Sequence, residues 1–426
     1  MWFCVIEILR AHQIVEAQAK QIPRGNLSDL YPRWLGAREL LLHHRNPYSR
    51  EVALEIEEGY YGRRLDTSRP NDPKDQQSFA YPVYVVFLLA PLIWFPFASV
   101  LSGFYWLLAI LTAVSVWLWL RVLRWRLSPS AVVACALLTL GSFPAVQGIK
   151  LQQLSLLVAA LVAGSAFFVA RGRLLIGGVL LSLATIKPQL AWPLVAWMCL
   201  WAVSNWRARR NFVLGFGATM AALLVGAEIL LPGWLRMFAG AIGQYHRYTQ
   251  NQSVLEVILN GVLPNPTRGV SNPPAHVGAE LLAFFCVLAC GLRLWRLRRQ
   301  DASSYAFGAA TSLVLALTVL VVPMYAPYNQ VLLMPAIMLL ARDREKLRTH
   351  SKALQFGYAL GGLALAWQWI ASMGLSAIYL VVSPLRALQG WSWPFFATFA
   401  VPVIFFVLTF FCVGQNAPPL ALPAEV

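Results

Sequence analysis

An aspartate and an arginine stand four positions apart near the start of the chain, as Asp29 and Arg33. Residues with this spacing share one face of a helix, so a carboxylate and a guanidinium would project together. Asp29 is therefore a candidate catalytic residue. A structural alternative is open, because Ser28 or Asp29 could simply cap the helix, which is a common role for both residue types.

The residues that follow predict a short amphipathic helix, which ends at the Asn-Pro-Tyr sequence of residues 46–48. Proline disfavours the α conformation at the residue before it and so stops the helix. Glu39 lies off the apolar face of this helix. That face consists of Leu30, Trp34, Ala37 and Leu41. We expect the helix to lie along a bilayer surface and to hold Asp29 near the lipid headgroups.

Lys187 is a charged residue within an apolar region, and Pro188 follows it directly. Charges inside apolar runs are rare and usually functional. The proline ends one half-helix and exposes its carbonyl groups, and the ammonium group can bind an anion at that break. The alternative is that the lysine side chain snorkels to the lipid headgroups.

Polar residues interrupt the apolar runs at two further places. The first is the Lys-Leu-Gln-Gln sequence that ends at Gln153, and the second contains Tyr328, Asn329 and Gln330 at the start of a predicted helix. A helix N-terminus favours an anion, so a phosphate could bind at the second place. The alternatives are an ordinary loop at the outer interface and an ordinary proline-rich turn.

The loop of residues 233–275 combines aromatic and amide side chains with arginine, which suits a ligand that contains both sugar and phosphate. Its candidate binding residues are His246, Arg247, Asn251 and Gln252. The histidines of the chain lack ligand-like spacing, so we predict no metal site and no cofactor. Neither of the glycine-rich nucleotide-binding motifs is present in the sequence.

Composition places the chain among polytopic membrane proteins, because 58% of its residues are hydrophobic and only 12% are charged. Soluble domains average about 25% charged residues. The formal net charge of +16 arises from arginine clusters between apolar runs, a pattern typical of cytoplasmic loops rather than of nucleic-acid binding. The six cysteines lie in or beside apolar runs and predict no disulfide framework.

The apolar runs predict an all-α polytopic bundle with about ten to twelve membrane segments. Residues 1–20 turn polar too soon to span a bilayer, so they form an interfacial segment or follow a missing first helix. We treat residues 1–426 as one integral membrane domain. Its parts are a first outer loop (21–80), membrane helices (82–232), a second outer loop (233–275), membrane helices (276–413) and a short tail (414–426).

The arginine clusters predict which ends of the helices face the cytoplasm. They begin at Arg121, Arg171, Arg207, Arg293 and Arg342. This places Gln153, Lys187, the loop 233–275 and the segment around Tyr328 on the opposite side. Asp29 joins that side only if run 82–98 is re-entrant or interfacial, because a full crossing would put residues 21–80 in the cytoplasm.

These motifs, in this order, resemble glycosyltransferase family 87 of the GT-C superfamily over roughly residues 25–345. The family's Gly-x-Asn-Pro-Tyr turn corresponds to residues 44–48, with His44 in place of glycine. Its Tyr-Pro-Pro segment corresponds to Tyr81-Pro82, and its Lys-Pro helix pair to Gly177 through Lys187-Pro188. Its Gly-Gln stretch corresponds to Gln152-Gln153. The main departure is Tyr328-Asn329, where the family often has paired histidines.

The resemblance implies transfer of a hexose, mannose in the best-known members, from a polyprenyl phosphate to a lipid-linked or glycan acceptor, with inversion. It implies Asp29 as general base. It also implies donor binding by Lys187, Arg33, Gln153, Tyr328, Asn329 and Gln330. The expected location is the bacterial inner membrane, with the active site on the periplasmic side and membrane lipids as partners. A transporter or lipid flippase is the rival interpretation, because broken helices and a midplane lysine fit that function too.

Overall fold

The computed structural model describes residues 1–66, 68–75, 77–249, 252–265, 272–345 and 351–415, and these residues form helices and loops without a β-strand. The N-terminal half contains a π-helix, Cys4–Leu9, and then α1 (Arg10–Ala19), α2 (Tyr31–His43), α3 (Arg50–Tyr61), α4 (Val85–Leu89), α5 (Phe97–Val122), α6 (Pro129–Leu140), α7 (Phe143–Lys150), α8 (Leu154–Ala170), α9 (Leu174–Ala184) and α10 (Pro188–Val203).

The second half of the chain continues with longer helices. It contains α11 (Trp206–Leu230), α12 (Trp234–Thr249), α13 (Val254–Val262), α14 (Pro273–Leu297), α15 (Tyr305–Val321), a 3₁₀ helix Pro327–Leu333, α16 (Met334–Arg342), α17 (Lys352–Ala377), α18 (Pro384–Gln389) and α19 (Ala400–Gln415). The predicted all-α class is therefore confirmed.

Five helical segments among the described residues are long and apolar enough to cross a membrane, or six if the bent pair α6–α7 counts as one span. They are Phe97–Val122, Trp206–Leu230, Pro273–Leu297, Lys352–Val382 and Pro384–Val413. Four shorter apolar helices, α8, α9, α10 and α15, accompany them. The predicted count of ten to twelve segments is not confirmed, because several apolar runs form short or broken helices instead.

Run 82–98 is one of the broken segments. It forms the five-residue α4 and a three-residue 3₁₀ helix, Ala90–Leu92, before α5 begins at Phe97. Pro91 and Pro96 explain the breaks, because proline lacks the N–H that a continuous helix requires. The segment is far shorter than the roughly 20 residues of a helix that crosses a bilayer.

The arginine clusters gather at one end of the bundle, as their chain positions predict. Arg209 donates hydrogen bonds to the carbonyl oxygens of Trp201 (2.7 Å), Arg298 (2.9 Å) and Gln300 (2.8 Å), which joins the start of α11 to the end of α14. The Arg342 guanidinium donates to the Leu123 carbonyl and joins the ends of α16 and α5. These contacts satisfy carbonyl groups that helix ends leave without partners.

Helix α2 is buried on more sides than an interfacial helix would be. Its neighbours α3 and α4 cover Trp34, Ala37 and Leu40, and the Trp34 indole donates to the Leu92 carbonyl at 3.2 Å. Glu39, which we expected off the apolar face, is also buried. Arg45 Nη1 lies 2.7 Å from its carboxylate and provides the charge partner that a buried carboxylate needs. Three residues of the predicted apolar face, Leu30, Trp34 and Ala37, are buried as expected, but the buried surface of α2 extends beyond that face to Glu39.

Candidate active site

Asp29 lies in the turn before α2 and does not cap that helix. The N-cap residue is Leu30, and it has no side-chain capping bond. The Asp29 backbone N–H donates to the Leu151 carbonyl at 2.9 Å, which fixes the turn against the end of α7. Its carboxylate accepts a hydrogen bond from the Gln153 amide, and the nearby Tyr60 hydroxyl favours its ionised form. The capping alternative is thus excluded for Asp29, whose side chain faces another element.

Burial raises the pKa of the Asp29 carboxyl above its ordinary value. The charge of Arg33 and the hydrogen bond from Gln153 oppose this effect without cancelling it, because both favour the ionised form. A carboxylate with a raised pKa is a stronger proton acceptor than an exposed aspartate. Asp29 can therefore act as a general base near neutral pH.

Arg33 lies beside this carboxylate and is held by two contacts. Its Nη1 donates to the backbone carbonyl of Asp29 at 3.0 Å, and its guanidinium lies 4.5 Å from the centre of the Tyr81 ring. Its Nε atom is buried and has no hydrogen-bond partner among the described residues. A buried donor without a partner is costly, and an anionic or hydroxyl-bearing ligand could satisfy it.

Lys187 occupies the predicted helix break, because α9 ends at Ala184 and α10 begins at Pro188. The side chain is 7% exposed. Its Nζ donates to Gln153 Oε1 at 3.1 Å and to Ser155 Oγ at 2.6 Å, and it lies 5.1 Å from the centre of the Tyr328 ring. A cation held only by neutral groups can exchange one of them for a phosphate oxygen.

The Gln153 side chain connects the acid to the cation. A carboxylate only accepts hydrogen bonds and an ammonium group only donates them, so the amide nitrogen must face Asp29 and the oxygen must face Lys187. Gln153 is the residue before α8, and the fixed start of that helix sets its position. The amide separates two opposite charges that would otherwise form a direct ion pair.

Two tyrosine hydroxyls fix the segment that carries Tyr81. Tyr48 donates to the Tyr81 carbonyl at 2.6 Å, and Tyr84 donates to the Thr185 carbonyl at 2.9 Å beside the Lys187 break. Asn46 Oδ1 accepts from the Tyr48 backbone N–H at 2.9 Å, which forms the turn that presents Tyr48. The Asn-Pro-Tyr sequence thus positions the aromatic ring under Arg33.

These groups line one cavity of about 380 Å³ between the first loop, the helix break and α12. Six of the predicted site residues lie on its wall, namely Asp29, Arg33, Gln153, Lys187, His246 and Tyr328. They come from distant parts of the chain, as the order of the motifs predicts. Among the described residues no cluster of three or more histidine, cysteine, aspartate or glutamate side chains could hold a metal ion.

The remaining predicted site residues lie elsewhere. Asn329 does not line the cavity, and its side-chain oxygen accepts a hydrogen bond from Ser155 Oγ at 2.8 Å. Gln330 points away and donates to the Thr398 carbonyl at 2.7 Å. Arg247 is exposed on α12, and the backbone carbonyl of Gln252 accepts from the Tyr325 N–H at 2.8 Å. Asn251 lies outside the described residues.

Sequence reasoning missed several polar groups of the site. Asp75 and Tyr245 line the cavity, while Tyr60 and Ser155 contact Asp29 and Lys187 from behind. Ser155 could have been found, because it stands two residues after Gln153 at the start of the same helix. Asp75 carried no local signal, since the first loop contains many acidic residues.

The sequence model of glycosyltransferase family 87 matches residues 79–323, more than half of the chain. No curated protein and no solved structure matches the chain. The matched region includes Gln153, Lys187 and His246, whereas Asp29 and Tyr328 lie beyond its ends and are brought to the same cavity by the fold. The chain therefore belongs to glycosyltransferase family 87 and is a membrane glycosyltransferase.

Proposed function

We propose that the protein transfers a hexose, mannose in the first instance, from a polyprenyl phosphate to a hydroxyl of a lipid-linked or glycan acceptor, with inversion. The observation that carries this proposal is the hydrogen-bonded series Asp29–Gln153–Lys187. In one cavity the Asp29 carboxylate and the Lys187 ammonium group contact opposite ends of one amide, which supports the roles of proton acceptor and phosphate-binding cation that we propose for them. Transfer from a lipid phosphate needs both groups, one for each substrate.

The reaction is a single displacement at the anomeric carbon. The acceptor oxygen forms the new glycosidic bond while the bond from the anomeric carbon to the donor phosphate oxygen breaks. The Asp29 carboxylate takes the proton of the acceptor hydroxyl, and the polyprenyl phosphate leaves with the bonding electron pair. Attack from the face opposite the leaving group inverts the anomeric configuration.

The leaving phosphate gains negative charge, and nearby donors stabilise it. Lys187 is the first candidate for this role, because its ammonium group can exchange the Gln153 oxygen for a phosphate oxygen. Arg33 is the second, through its Nε donor, which has no hydrogen-bond partner in the described part of the chain. Tyr328 packs over Lys187 and limits its access to water, whereas Asn329 acts through Ser155.

The acceptor would enter past α12. His246 lies on the cavity wall and offers a hydrogen bond to a sugar hydroxyl. Arg247, Asn251 and Gln252 extend the same loop and could bind the acceptor farther out. We place this side of the protein at the periplasmic face of a bacterial inner membrane, because the arginine clusters lie at the other end of the bundle.

The test uses purified protein in detergent with radiolabelled polyprenyl-phosphate-mannose and a total lipid extract as acceptor. The products are separated by chromatography. We expect a new labelled lipid from the wild type and a loss of about 10²–10⁴-fold in Asp29→Asn, the usual contribution of a general base. Donor binding should persist, because asparagine is nearly isosteric with aspartate.

Asp75→Asn is the matched control, since it removes a second carboxylate from the same cavity. Gln77 already donates two hydrogen bonds to Asp75, at 3.0 Å and 2.7 Å, so this carboxylate is less available as a base. Equal product from wild type and Asp29→Asn would exclude Asp29 as the base. If mannose gives no product, polyprenyl-phosphate-glucose tests the sugar and a lipid flux assay tests the transporter.

A further inference from the structure

A second cavity, of about 960 Å³, opens at the end of the bundle remote from Asp29. It lies where α5 ends, α6 begins and α8 ends. Four arginines line it, namely Arg121, Arg124, Arg126 and Arg171. We call this cavity the arginine groove. No aspartate or glutamate is among the described residues that line it, so its positive charge is not neutralised locally.

Two of the four arginine side chains of the groove stack on aromatic rings. The Arg121 guanidinium lies 5.4 Å from the centre of the Trp117 ring, and Arg171 lies 5.2 Å from that of Phe167. None of the four arginines forms a salt bridge within the described part of the chain. Stacking on a ring fixes a guanidinium and leaves its outer N–H groups free to bind an oxyanion.

Arg124 lines the groove from the turn that ends α5. Helix α5 ends in a motif in which the Trp125 N–H donates to the Leu120 carbonyl at 2.9 Å. The residue before Trp125 in such a motif adopts a left-handed conformation, and glycine is usual there. Arg124 occupies the position with a φ of 52°. A charged side chain is therefore kept where the backbone favours glycine, and such strain concentrates at functional sites.

The other wall of the groove is apolar and faces outward. Val133 on α6 is 56% exposed and Trp117 on α5 is 41% exposed. Helix α5 is also one of the candidate membrane spans. The groove thus offers cationic donors beside an apolar surface at the end of a spanning helix, which matches the two parts of a phospholipid.

We propose that the arginine groove binds the phosphate headgroup of an anionic phospholipid of the surrounding membrane. Arg121, Arg124 and Arg171 bind the headgroup oxygens, and the acyl chains lie against Trp117 and Val133. The site is separate from the cavity of Asp29 and does not depend on the function proposed for that cavity. This proposal is distinct from the general retention of positively charged loops in the cytoplasm, because that retention requires positive charge but does not require a groove.

Native mass spectrometry tests the proposal on the full chain in detergent with equimolar phosphatidylglycerol and phosphatidylcholine. We expect the wild type to retain phosphatidylglycerol preferentially. The double variant Arg121→Ala/Arg124→Gly should lose this preference at least fivefold. Its fold should persist, because glycine suits the backbone conformation at position 124.

The matched control is Arg207→Ala/Arg210→Ala, which removes two exposed arginines of the same end that do not line the groove. It should retain phosphatidylglycerol like the wild type. An equal loss of the phosphatidylglycerol preference in both double variants would show that overall positive charge, and not the groove, causes the preference. That result would overturn the proposed site. If the first double variant does not fold, Arg171→Gln makes the same test at a single position.

A comparison with inorganic phosphate distinguishes a lipid ligand from a soluble anion. We expect thermal stabilisation by phosphatidylglycerol in mixed micelles and none by millimolar phosphate, because phosphate cannot use the apolar wall. Equal stabilisation by phosphate alone would replace the lipid with a soluble anion and overturn the proposal.

Discussion

At the scale of single residues, the site is defined by what each polar atom can donate or accept. Asp29 and Lys187 carry opposite charges, yet they do not meet, because the Gln153 amide lies between them. The two charges therefore stay apart, and each can bind a different substrate once its contact with the amide is broken.

The raised pKa of Asp29 predicts where the transfer activity declines on the acid side of its pH profile. A base must be ionised, so transfer should fall as the pH drops through the pKa of this carboxyl. Because burial raises that pKa, kcat/KM should decline at a higher pH than an exposed aspartate with a pKa of about 3.9 would produce. The measurement is kcat/KM from pH 4 to pH 8.

Tyr60→Phe sharpens this test. The Tyr60 hydroxyl favours the ionised carboxylate and lowers its pKa, so its removal should raise the pKa further and move the decline to higher pH. If the decline of kcat/KM at low pH stays in place or moves to lower pH in this variant, protonation of Asp29 is not its cause.

Lys187→Ala should weaken donor binding at least tenfold, because it removes the cation that we propose binds the donor phosphate. Titration of the protein with polyprenyl-phosphate-mannose measures this directly. Lys150→Ala is the control, since Lys150 is a cation at the end of α7 that does not line the cavity. Unchanged donor affinity in Lys187→Ala would exclude the proposed phosphate contact.

At the scale of elements, several non-glycine residues occupy turns that favour glycine, and two of them stand where the family resemblance places glycine. His44 follows α2 with a φ of 55°, and Gln152 follows α7 with a φ of 50°. The family resemblance places glycine at both positions. Gln152 compensates for its strained backbone, because its side chain donates to the carbonyls of Ile149 (2.9 Å) and Lys150 (2.8 Å). The His44 side chain is exposed.

His44→Gly should therefore increase the free energy of unfolding by about 0.5–1 kcal/mol, since it removes a left-handed non-glycine residue without losing a buried contact. Gln152→Gly should not stabilise the protein, because two hydrogen bonds are lost. Chemical denaturation in detergent measures both variants. A stabilisation by Gln152→Gly equal to that of His44→Gly would show that the amide contacts contribute nothing.

The elements differ in how far the sequence could predict them. Local chemistry predicted the break at Lys187-Pro188 and the end of α2, because proline acts on its own neighbours. The number of spans predicted from hydropathy is not confirmed, since runs such as 82–98 are apolar enough to cross but are cut by Pro91 and Pro96. The approach of Asp29 to Gln153 depends on tertiary packing, which no local spacing encodes.

At the scale of the whole molecule, the candidate active site and the arginine groove lie at opposite ends of the same helices. Helix α5 begins beside α2, where the Phe97 ring packs 4.9 Å from that of Tyr31, and it ends at the groove. Its 26 residues span about 39 Å at 1.5 Å per residue. Helix α8 likewise begins after Gln153 and ends before Arg171.

This arrangement predicts which side of the membrane each cavity faces. A cysteine placed at Gln77, on the wall of the candidate active site, should react with a membrane-impermeant maleimide in intact cells. A cysteine placed at Ser303, beside the arginine groove, should react only after the cells are opened. None of the six native cysteines is exposed, so labelling of the unmodified protein gives the background. The reverse pattern would place the active site in the cytoplasm.

The amide of Gln153 also implies an order of substrate binding. In the free protein its oxygen accepts from Lys187 while its nitrogen donates to Asp29. A donor phosphate that takes the lysine as its own partner releases the amide, which can then rotate away from the carboxylate. We therefore expect a compulsory sequence in which the lipid donor arrives first and unmasks the base, and the acceptor follows. Hydrolysis of the donor by water is limited to the short interval between the two arrivals.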